Sequence, residues 1–100
     1  MQTELPLSDN EFLRQFESTI EGELVKIEYS QQERKIFLTK IVMSEELREK
    51  GYLETFIKTV LDHIKEQDSH RVVPTSPLIA KYMRKNKRKY KDLLPVGINI

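Results

Sequence analysis

Residues 35–67 read KIFLTKIVMSEELREKGYLETFIKTVLDHIKEQ, and the change of period inside this stretch decides the fold. Up to Met43 the chain is rich in β-branched and apolar residues with little clean alternation, which predicts a central strand buried on both faces. After Met43 the period lengthens. Ser44 followed by Glu45 and Glu46 is a helix-start signal, a capping residue with acids in the first turn, and it predicts a brief helix before Gly51. From Tyr52 to Gln67 the apolar residues Leu53, Phe56, Ile57, Val60, Leu61 and Ile64 recur at helical spacing, a continuous stripe that must lie on a sheet.

On the amino-terminal side, residues 12–20 and 24–29 read as strands. Val25, Ile27 and Tyr29 alternate with Lys26 and Glu28, and the segment 20–23 supplies a turn. The polar run 31–34 is the next turn, so three consecutive strands form an antiparallel meander. On the carboxyl-terminal side Val72 and Val73 form a short strand, and Ser76 caps a second helix. Pro77 sits in its first turn, where a missing N–H costs nothing. On that helix Ile79, Tyr82 and Met83 share one face, and Lys81, Arg84, Lys85 and Arg88 share another. The fold class is α+β, in one domain over residues 1–100, with 1–10 and 95–100 expected to be flexible ends.

A chain of 100 residues with 38% hydrophobic and 33% charged residues supports one core. It has no cysteine, which excludes a disulfide frame, a thiolate metal site and a thiol nucleophile. The start of the chain lacks a basic and an apolar region, and no long apolar run follows, so a cytoplasmic protein without a membrane segment is expected. His63 and His70 are too far apart in sequence to suggest a metal site, and none is expected. Charge is unevenly distributed. Residues 1–70 hold nine Lys/Arg against fifteen Asp/Glu, net −6, whereas residues 71–100 hold eight against Asp92 alone, net +7. One end of the fold is therefore suited to an anion. The segment Arg48-Glu49-Lys50-Gly51-Tyr52 lies at the start of the long helix, where backbone amides and the helix dipole favour phosphate.

Three segments carry a resemblance: VMSEELREKGYLE at 42–54, with an R-x-x-G loop, VVPTSPLIAKY at 72–82, and the ending Tyr90, Asp92, Leu93. In this order, after a meander, they resemble the GNAT superfamily of N-acetyltransferases, and more narrowly its short single-domain branch, over residues 12–94. The chain departs from the branch by Lys40 in place of a strand histidine, Ser76 in place of a cysteine, and Leu53 in place of a small loop residue.

The resemblance implies acetyl-CoA as cofactor and an amine of unknown identity as acceptor. By that resemblance the pantetheine arm lies along Ile41, Val42 and Met43. The pyrophosphate lies on the loop holding Arg48, Lys50, Gly51, Tyr52 and Leu53, beside Thr75 and Ser76. Lys81, Arg84 and Lys85 face the 3′-phosphate, and Ser76 or Tyr82 hydrogen-bonds the leaving thiol. Two alternatives belong to other classes. One is a catalytically inactive interaction domain that keeps the fold. The other is a nucleic-acid module using the basic helix, where Lys87, Arg88, Lys89 and Lys91 extend the positive run and Tyr82 and Tyr90 interleave.

Overall fold

The computed structural model describes residues 5–95. Five strands form one sheet in the order β1-β2-β3-β4-β5: β1 Ser8–Asn10, β2 Gln15–Ile20, β3 Glu23–Gln32, β4 Lys35–Val42 and β5 Arg71–Pro74. The first four run antiparallel, and β5 is parallel to β4. The crossover between them holds a short helix α1, Glu45–Glu49, and the long helix α2, Tyr52–Gln67. After β5 come α3, Pro77–Lys85, α4, Lys87–Tyr90, and a single 3-10 turn, Lys91–Leu93.

The predicted stripe of α2 forms as expected. Phe56, Ile57, Val60, Leu61 and Ile64 are buried and join one cluster with Val25, Ile27, Leu38 and Val72 of the sheet, while Leu53 packs at its edge. Ile79 and Met83 of α3, with Tyr90 and Leu93 beyond it, close the same core.

Several boundaries differ, each for a local reason. Residues 11–14 are a turn rather than strand: the Leu13 N–H donates to Asn10 Oδ1 at 3.0 Å, Arg14 takes φ +59°, and Phe12 is 93% exposed. Of the expected flexible ends 1–10 and 95–100, residues 8–10 are paired as β1, Leu5 and Leu7 pack against the core and Pro95 is buried, whereas 1–4 and 96–100 lie outside the described residues. The turn in the polar run shrinks to Glu33 and Arg34, because Gln31 and Gln32 still pair with Ile36 and Lys35. The turn after Ile20 is a tight hairpin with positive φ at both Glu21 and Gly22. The basic helix is two pieces. Asn86 leaves helical geometry, and its N–H and side-chain amide both donate to the Tyr82 carbonyl, so Arg88 starts a new turn instead of continuing the face of Lys81 and Arg84.

β4 is not buried on both faces. Ile36, Leu38, Ile41 and Met43 point into the core, while Lys35, Thr39, Lys40 and Val42 are exposed. The alternation is hidden by a bulge. Tyr29 pairs with Leu38 and Glu28 with Lys40, which leaves Thr39 as an extra residue, its hydroxyl donating to the Glu28 carbonyl at 3.2 Å. One inserted residue switches the inward positions from even to odd numbers.

Tyr90 docks the chain's last turns onto α2. Its hydroxyl donates to Asp62 Oδ1 at 3.0 Å, and the other Asp62 oxygen accepts from Lys58 at 3.1 Å. Burial pushes the Asp62 carboxyl up, but the bonds from Lys58 and Tyr90 and the nearby Lys58 and Lys89 charges outweigh it, so it titrates below the ordinary carboxylate range. A lowered folded value means stability that is present above that range and lost as pH falls through the folded value. Urea titrations at pH 7 and at about pH 3 should therefore show a smaller acid-induced loss for Asp62→Asn than for the parent; equal losses would remove Asp62 from the acid limb.

Candidate active site

The parallel ladder between β4 and β5 is short. It runs from the Lys35–Arg71 pair to the Leu38–Pro74 pair and stops. Pro74 has no N–H for another rung, and the Leu38 carbonyl is closed instead by the Ser76 N–H at 3.1 Å and the Thr75 hydroxyl at 2.9 Å. The chain then turns into α3, whose first turn accepts Pro77. Beyond this apex β4 continues from Lys40 to Val42 with no strand among the described residues on its β5 side, so the two strands form a wedge.

From the mouth of the wedge, at the end of β4, the chain passes through α1 into the start of α2. Ser44 caps α1, its hydroxyl accepting from the Leu47 N–H at 3.3 Å, and the short helix ends at Lys50. Gly51 then adopts φ +90°, which a side chain resists, and a Cβ built there meets nothing within 4 Å. It occupies the N-cap position of α2 and offers no side chain, so the first amides of a sixteen-residue helix are uncapped. Leu53 falls inside that helix and packs at the core edge, not in a strained turn.

Charge around the mouth divides into held and unheld groups. Lys50 is held by Glu21 at 2.6 Å, with Glu46 at 3.7 Å, and the pairing raises its ammonium while lowering the Glu21 carboxyl. Tyr52 donates to the same Glu21 at 3.2 Å, and Lys85 of α3 pairs with Glu54 in the first turn of α2 at 3.1 Å. Arg48, Lys81 and Arg84 are exposed and form no ion pair among the described residues.

Apart from the α3 cations Lys81, Arg84 and Lys85, the residues singled out by sequence fall into two groups. Ile41, Val42 and Met43, the Arg48–Leu53 loop, Thr75 and Ser76 border the wedge and its mouth. Within this group Ile41 and Met43 are buried, so β4 presents its backbone edge there rather than their side chains. Thr75 uses its hydroxyl to close the apex. Ser76 stands at the N-cap position of α3 but makes no capping bond there; it is 5% exposed, with its N–H anchored on Leu38. Tyr82 belongs to the second group. It lies 9% exposed on the inner face of α3, its ring 5.9 Å from that of Tyr90, and burial pushes its phenol up.

Sequence reasoning missed the Leu38 carbonyl and the Thr39 bulge. A signal for the bulge was present, since two consecutive polar residues, Thr39 and Lys40, separate apolar pairs of opposite parity. Glu21 and Glu54, which hold Lys50 and Lys85, come from remote segments and carry no local signal.

A family match extends from the first residue of β2 to the last turn: residues 15–93 fit the family described as GCN5-related N-acetyl-transferase. The chain belongs to that family. No curated protein matches it. As a member of that family it is an α+β protein whose matched region takes in the whole β4–α1–α2–β5–α3 unit that builds the wedge and leaves out only β1 among the described strands. Among the described residues no helix is long and apolar enough to cross a membrane.

Proposed function

We propose that this domain binds acetyl-CoA in the wedge and transfers the acetyl group to an amine. The observation that carries the reading is the early parting of β4 and β5 at Leu38 and Pro74, with the uncapped amino end of α2 following β4 after one short helix. The residues present fit a phosphorylated, amide-bearing ligand. The edge of Ile41, Val42 and Met43, left without a strand among the described residues, can pair with amides as an added strand would. The open space in front of Gly51 admits a phosphate to the amides of Tyr52 and Leu53. Among the described residues Arg48 is the guanidinium of the loop without an ion pair, and Lys81 and Arg84 likewise supply positive charge from α3. Lys50 and Lys85 have to exchange an exposed carboxylate for the ligand, so they contribute less.

Acetyl-CoA, when bound, supplies an activated acyl thioester. The chain contributes orientation along β4 and hydrogen-bond donors at the mouth. Ser76 is the donor assigned to the leaving thiol, because its backbone is fixed to the apex. Tyr82 is a second donor that must first turn from Tyr90.

The test is direct. At about one hundred times its dissociation constant, acetyl-CoA is expected to stabilise the fold by about 2.7 kcal/mol, read as a rise in Tm. Release of free thiol should follow on addition of a suitable primary amine. An unchanged Tm at millimolar acetyl-CoA would sink the cofactor reading, and binding without thiol release from any amine would favour the inactive interaction domain.

A further inference from the structure

A second cavity lies at the opposite pole of α2. Its volume is about 600 Å³, within the range of small-molecule sites. It is bounded by the β1–β2 hairpin, the β3–β4 hairpin, the last turns of α2 and the start of β5, and its floor is formed by Phe16, Tyr29, Ile36 and Ile64. The floor is rigid. The Phe16 and Tyr29 rings lie 4.8 Å apart, and His63 meets Phe16 edge-on at 5.8 Å. The Tyr29 hydroxyl is bonded to Asp9 Oδ1 at 2.6 Å.

Charge on the rim is unbalanced. Asp9 and Glu11 come from one hairpin and Glu33 from the other, against Arg14 as the single lining cation among the described residues apart from two imidazoles. None of these three carboxylates forms an ion pair among the described residues, and Glu11 and Glu33 accept no hydrogen bond there. The carboxyl end of α2, the negative end of its dipole, faces the same space through His63 and Gln67. The field is felt at the floor. Burial first, then the Asp9 bond and the charges of Asp9 and Glu11, push the Tyr29 phenol upward, with Arg14 opposing. Like charges gathered around a concave space repel one another, and a cation entering it relieves that repulsion.

We propose that this cavity is a binding site for a small organic dication, an ammonium and a guanidinium or second ammonium joined by a short hydrocarbon chain. Two positive ends answer the two hairpins, Asp9 with Glu11 on one side and Glu33 on the other, while the methylenes cover the apolar floor. Gln31 and Gln67 offer amide oxygens to the remaining N–H groups. The site is separate from the wedge. His63 stands eleven residues beyond Tyr52, roughly 16 Å along the helix axis, and the fully buried Ile57 and Leu61 lie between. Its occupant is therefore a ligand in its own right and does not depend on the acetyl-CoA reading.

The probe is agmatine, titrated by calorimetry into the full chain at constant ionic strength, with amide chemical shifts followed in parallel. Saturable one-to-one binding is expected, with shifts at Tyr29, Glu33 and His63 and none at Gly51 or Tyr52. Butylamine, with one charge, should bind at least about tenfold more weakly. Glu11→Gln combined with Glu33→Gln should weaken agmatine by at least about tenfold with an unchanged Tm, since both residues are exposed, and Arg14→Gln should tighten it. Unsaturable binding, equal affinity for butylamine, shifts scattered over the acidic surface, or an unchanged affinity in the double variant would each overturn the proposal.

Discussion

Phe56→Ala is expected to lower folding stability by about 3–5 kcal/mol, the largest effect of any single truncation in α2. The reason is position as well as size. Phe56 is fully buried, it belongs to the stripe that lays α2 on the sheet, and it is among the largest fully buried side chains of the core. A small domain has only about 5–15 kcal/mol in total, so the variant should melt roughly 12 °C or more below the parent. Ile57→Val on the same stripe removes one methylene and should lose only about 0.5–1.5 kcal/mol. Urea denaturation measures both. A Phe56→Ala loss under about 1 kcal/mol would mean that the helix is not held by this stripe.

The second large effect concerns the wedge and rests on the proposed cofactor. Arg48→Glu should weaken acetyl-CoA by more than about tenfold, because a charged hydrogen bond contributes about 1.5–3 kcal/mol and each 1.4 kcal/mol is a factor of ten. The substitution also brings a carboxylate to the amides that would receive phosphate. Stability should hardly change, since Arg48 is exposed and unpaired among the described residues. Lys50→Gln is the useful contrast: Lys50 is already bonded to Glu21, so its loss should cost less affinity than Arg48→Glu. Calorimetric titration of the three proteins decides the point, and equal affinities for acetyl-CoA would show that the loop does not hold phosphate.

How far the site was legible follows from how local each signal is. The R-x-x-G loop, the stripe of α2 and the Pro77 helix start each depend on neighbours within a turn or two, so they can be read along the chain. Residues 42–54 and 72–82 also carried the family resemblance, and they are the segments that border the wedge. The direction of Tyr82 was not readable, because the same helical face serves the core, Tyr90 and a ligand equally well until the partners are known. Lys85 illustrates the same limit. Its charge is plain in the sequence, but its engagement with Glu54 depends on how α3 crosses the start of α2.

The amino-acid order by itself determined the class of the fold, the long helix, its glycine-marked start and the segregation of charge, because side-chain period and local backbone preference act over a few residues. Only the tertiary structure decided where β4 and β5 part, which lysines are already neutralised, and that three carboxylates from two hairpins gather beneath the far end of α2. Those features are set by distances between segments remote in sequence, and Coulomb and hydrogen-bond energies depend on such distances rather than on the order of residues.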